Sequence, residues 1–73
     1  MKLTNKMIES YKQKYGKNTN FSLIPPAKIY AKIMTLGMID LDNKLVLQKQ
    51  YEHEFLTWPI AKRIEFDRAL LSK

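Results

Sequence analysis

Seventy-three residues without a cysteine exclude a disulfide scaffold and a thiolate metal site, and no apolar run approaches the roughly 20 residues that span a bilayer. The net charge of +6 is uneven: residues 1–34 hold seven lysines against Glu9 alone, while residues 35–73 hold six bases against six acids. With 45% apolar and 27% charged residues the chain has the composition of one small folded domain, basic in its first half and neutral in its second, and that asymmetry points to a polyanionic or acidic partner.

A chain of this size buries only about 60–65% of the surface its unfolded form exposes, so its stability is marginal. With no covalent staple, the core must come from packing, helped by a partner or a second copy. The N-terminus, Met1 to Lys6, is basic but lacks the apolar stretch of a signal peptide, and a cytoplasmic location without a membrane partner is expected. The Met start and the clean stop after a helix-like segment suggest a complete short gene product. Frequent Lys, Ile and Asn fit an AT-rich genome, such as that of many phages.

The first helix is predicted from Thr4, a good N-cap, to about Tyr15, with Met7, Ile8, Tyr11 and Tyr15 on one stripe and Gly16 as its stop. Residues 17–20 form a polar loop. Phe21 to Ile24 is a short apolar approach to Pro25 and Pro26, and proline suits the first helical position because its missing N–H would be unpaired there anyway. The second helix is predicted from about Pro26 to Leu36, with Ile29, Tyr30, Ile33, Met34 and Leu36 buried and Gly37 as its end.

Residues 38–57 have two readings. In one, a helix runs from an Asp42 N-cap to Leu56, with Leu47, Tyr51, Phe55 and Trp58 spaced 4, 4 and 3 along its inner face. In the other, residues 38–48 form a β-hairpin, with Ile39 and Leu41 facing Leu47 and Leu45 across an Asp42–Asn43–Lys44 loop that lacks the usual glycine. Trp58 precedes Pro59 and is pushed to an extended backbone, a firm break. The last helix is predicted from Pro59 to about Ser72, with Ile60, Ile64, Leu70 and Leu71 inward and Phe66 widening the stripe. The fold class is therefore mainly α, one domain of three or four helices over residues 1–73, with the hairpin as the open alternative.

Catalytic chemistry has little to stand on. His53 is the only histidine, and its neighbours Glu52 and Glu54 point in other directions on a helix, so no metal site forms from them. No serine sits in a nucleophile motif, Asp40 and Asp42 suit a turn or a cap, and two distant glycines make no phosphate loop. No enzyme activity, cofactor or metal is expected.

The lysines suggest a binding surface instead. Lys28, Lys32 and Thr35 fall at i, i+4 and i+7 on the second helix, opposite its apolar stripe, and Lys12, Lys14 and Lys17 add charge around the end of the first. Tyr11, Tyr15 and Tyr30 offer stacking faces. Solvated amphipathic helices carry lysines for no such purpose, so the one-sided charge is what raises the functional reading. The basic half holds no arginine, the usual bidentate reader of guanine, so phosphate contact with little sequence readout is the expected mode. In the second half Tyr51, Phe55, Trp58 and Arg63 are the candidates for a protein interface, against a plain core role for the aromatics. Arg63 and Asp67, at i and i+4, are expected as a surface pair.

With the hairpin, the order of Ala31 to Ile39, then Asn43 to Leu47, then a helix resembles the latter part of a winged-helix domain over about a third of the chain. That resemblance implies a recognition helix at the second helix and a wing at the hairpin. Only one clear helix precedes the recognition helix, where that family has two. The reading of the whole chain is a small non-enzymatic accessory or regulatory factor that engages nucleic acid, or a nucleic-acid-handling complex, through its basic half. The alternative is a protein-binding inhibitor or adaptor acting on an acidic protein surface, and a third is a subunit that pairs with its own copies.

Overall fold

The computed structural model describes residues 3–16 and 20–72. Four α-helices carry the fold: α1 (Asn5–Tyr15), α2 (Pro26–Met34), α3 (Leu41–Leu56) and α4 (Ile60–Leu71), with one 3-10 turn at Phe21–Leu23. No strand occurs among the described residues, and no helix there is long and apolar enough to cross a membrane.

Each helix start has a local cause. Thr4 caps α1, its Oγ1 accepting the Met7 N–H at 3.3 Å. Asn20 caps the 3-10 turn, accepting the Ser22 N–H at 3.1 Å. Pro26 opens α2 at its first position, as expected. Asp40, not Asp42, caps α3: its carboxylate accepts the N–H of Asp42 at 3.1 Å and of Asn43 at 3.4 Å. From Leu41 onward the chain is helical without interruption to Leu56. The hairpin expected at residues 38–48 is therefore corrected: residues 38–40 link α2 to α3, residues 41–48 are helical, and the winged-helix resemblance loses its wing. Ile39, which the hairpin would have paired across strands, is 97% exposed.

The stops are less uniform. Gly37 lies at φ 92°, a left-handed conformation that favours glycine, and it turns the chain from α2 towards α3. Gly16 instead stays right-handed at φ −65°. A Cβ there would press on the Lys12 carbonyl, so close approach rather than handedness selects glycine.

Helix α2 is the centre of the molecule. Ile29, Tyr30, Ala31, Ile33, Met34 and Thr35 are all buried, so it is covered nearly all round, and α3 provides its most extensive cover. Ile8 and Tyr11 of α1 and Phe66 and Leu70 of α4 complete the core. Tyr30 stands at the middle of an aromatic cluster, with ring centroids 4.7 Å from Trp58, 5.7 Å from Tyr51, 5.8 Å from Phe55 and 6.0 Å from Phe66. Edge and tilted contacts dominate it, the arrangement that ring quadrupoles favour.

Two expected faces turn out differently. Helix α2 ends at Met34, where Thr35 Oγ1 donates to the Ala31 carbonyl at 2.8 Å, and Leu36 falls off the stripe, 40% exposed. Helix α4 is rotated by roughly a quarter turn from the predicted stripe. Phe66 and Leu70 face inward, while Ile60, Ile64 and Leu71 are exposed. An aromatic ring buries more apolar area than an isoleucine, and seating Phe66 against Phe55, 5.4 Å between centroids, sets that rotation.

Candidate binding surface

The antiparallel packing of α2 and α3 brings Lys28 and Lys32 of α2 alongside Lys49 of α3, around a shallow trough that Leu45, Gln48 and Glu52 complete. All three lysines are exposed. On α3, residues 45, 49 and 52 follow the i, i+4, i+7 spacing of one helix face, which is why they line the trough together. Lys49, in the charge-neutral half of the chain, was not singled out from the sequence; only the packing of α3 on α2 sets it beside Lys28 and Lys32.

Other residues expected on this surface lie elsewhere. Thr35 was placed with Lys28 and Lys32 on the exposed face, but it is fully buried, because α3 lies across that end of the helix. Its hydroxyl accepts from Gln48 Nε2 at 3.2 Å while donating to Ala31, which ties α2 to α3. Lys12 is likewise committed inside the fold: Nζ donates to the carbonyls of Ala69 at 2.8 Å and Ser72 at 2.7 Å. Both carbonyls lie at the C-terminal end of α4, where they have no donor within the helix and a cation is electrostatically favoured. Lys14 is exposed, its Nζ 5.6 Å from the Tyr15 ring centroid. Lys17 lies outside the described residues. Tyr11 and Tyr30 are buried in the core and offer no stacking face.

The aromatic candidates of the second half divide in the same way. Phe55 is buried, and Tyr51 and Trp58 are half-buried against it. Trp58 leaves one face for Lys62, whose Nζ sits 4.2 Å from the ring centroid. The Tyr30 hydroxyl ionises late, pushed up to about 12 first by burial and then by the nearby Glu54 carboxylate. Burial also raises Tyr11, with Tyr15 adding to the effect. Arg63 is half-buried, and no ion pair joins it to Asp67 among the described residues, contrary to the expected surface pair. His53 is exposed on α3, and among the described residues no three His, Asp or Glu side chains gather as a metal site would require.

Compared with protein-family models, curated proteins and solved structures, the chain matches none.

Proposed function

We propose that this chain is a small non-enzymatic accessory factor that holds a nucleic-acid backbone, or the nucleic acid of a larger complex, on its α2–α3 face. The observation that carries the reading is the convergence of Lys28, Lys32 and Lys49 from two helices on one trough. Lysine ammonium groups act as hydrated point charges, suited to phosphate and poorly suited to reading base edges. Glu52 at the edge of the trough trims the positive field and disfavours tight binding.

The reading implies weak, salt-sensitive and nearly sequence-blind association. Three phosphate contacts give a log–log salt slope of about −3 on duplex DNA. The test compares Lys28→Glu, Lys32→Glu with Lys6→Glu, Lys62→Glu, two double variants that change net charge equally. All four lysines are exposed, so both proteins should fold. The first should abolish measurable binding to labelled duplex and single-stranded DNA, and Glu52→Gln should tighten it. Equal weakening by both double variants would reduce the effect to overall charge and remove the trough from the mechanism.

A further inference from the structure

The trough between α2 and α3 is charged but offers a base nothing to stack on. Between its lysines lie Ala31, Leu45 and Gln48, none of which has a π face. The chain's four tyrosines, three phenylalanines and one tryptophan all fall within the described residues, and none lines the trough. Tyr11, Tyr30, Phe55 and Phe66 are buried in the core. Tyr51 packs on Tyr30 with centroids 5.7 Å apart, Phe21 packs on Tyr11 at 5.9 Å, and Trp58 carries Lys62 over one face. Tyr15 is the one exposed ring, at 38%, and it sits at the end of α1, leaning on Tyr11 at 4.8 Å.

We infer that the nucleic acid this trough takes is a duplex rather than a single strand, gripped by the phosphate ridge of one strand and left fully paired. The inference rests on the proposed nucleic-acid contact and narrows its substrate. Proteins that hold single strands combine a basic groove with rings on which bases stack, and each stacked base strengthens binding by about 5- to 150-fold. Without a ring, charge alone discriminates, and charge favours the duplex. A duplex carries one negative charge per about 1.7 Å of axis, twice the density of either strand, and each neutralised phosphate releases about 0.9 counterions from a duplex against about 0.7 from a single strand. The lysines are also spaced for a strand ridge. Lys28 and Lys32 stand about 6 Å apart along α2, close to two phosphate steps of one strand at about 3.4 Å each. Lys49 meets the same ridge from the opposite wall. Paired bases stay out of reach, so indifference to sequence follows from the same geometry.

The test measures the intact chain by fluorescence anisotropy against a mixed-sequence DNA duplex and an oligothymidine of equal length. With three phosphate contacts the duplex should bind about tenfold tighter at 20 mM salt and about fourfold tighter at 100 mM, with log–log slopes of about −2.7 and −2.1. Tyr15→Leu should leave both affinities unchanged, and the fluorescence of Trp58, the only tryptophan, should not be quenched by the single strand. Suppose oligothymidine binds as tightly as the duplex or tighter, and Lys28→Glu, Lys32→Glu still abolishes that binding: the duplex inference is then overturned while the proposed function stands. Loss of single-strand binding in Tyr15→Leu, or quenching of Trp58 by the strand, would overturn it as well, since a ring would then be receiving bases. Failure of both probes to bind at 20 mM salt would overturn the proposed function and this inference together.

Discussion

The sharpest test of the fold concerns Lys12, a residue whose sequence context reads as a free surface charge. In Lys12→Met the stem survives and the ammonium is lost. The carbonyls of Ala69 and of the C-cap Ser72 then lose the ammonium, and the last turn of α1 is no longer tied to the C-terminal end of α4. A hydrogen bond to a charged group contributes about 1.5–3 kcal/mol. The Ser72 carbonyl is exposed and can turn to water, and Ser72 Oγ still donates to Ala69 at 3.1 Å, so the loss amounts to about one such bond. The pair with Glu9, at 3.6 Å and largely solvated on the Glu side, adds little. For a domain of 60–100 residues, 1 kcal/mol moves the melting temperature by about 4–8 °C, so a fall of about 6–24 °C is expected. Far-UV circular dichroism on heating measures it. Binding to DNA at a temperature where both proteins are folded should be unchanged. An unshifted melting curve with weakened DNA binding would refute the reasoning, since it would show the ammonium free in solution and part of the basic surface.

Phe55→Ala should cost about 3–5 kcal/mol by urea denaturation, as expected for a core aromatic, while Trp58→Ala should cost less because Trp58 is only half-buried. Thr35→Val should destabilise by about 1–3 kcal/mol, because the Gln48 amide loses its acceptor at the α2–α3 contact; adding Gln48→Leu should recover part of that loss. Tyr30 supplies a pH dependence. Its folded pKa, about 12, lies above the ordinary 10.0, so the stability it contributes is complete below pH 10 and is lost as pH rises towards about 12. Ultraviolet titration of the phenolate should show a component near 12 that disappears in Tyr30→Phe; a titration unaltered by that substitution would remove Tyr30 from its buried site beside Glu54.

Local features were legible in the chain itself. Thr4, Pro26, Gly37 and the Trp58–Pro59 break mark helix ends through short-range chemistry: a hydroxyl over free amides, a missing N–H, a positive φ, a crowded proline ring. The inner face of α3, from Leu47 through Phe55, was legible too, since 4, 4, 3 spacing needs no neighbour to be recognised. The choice between helix and hairpin at residues 38–48 was closer, because alternation and helical spacing coexist there. There Asp40 caps the first turn of α3, its carboxylate accepting from two of the free amides at the helix start.

What tertiary structure alone decided is which polar or charged groups remain free. Thr35 and Lys12 carry every sequence mark of surface residues, yet α3 covers the first and the end of α4 binds the second. Lys49 gained its place only when α3 lay antiparallel to α2. Phe66 claimed the inner face of α4 and turned Ile60 and Ile64 outward, while Arg63, half-buried, keeps its Nε shielded without an acceptor among the described residues. Periodicity records which side of a helix is apolar, but the partner of each side chain comes from segments as far as 60 residues away along the chain. Such contacts depend on how whole helices seat against one another, which is a property of the summed packing and of no local stretch of sequence.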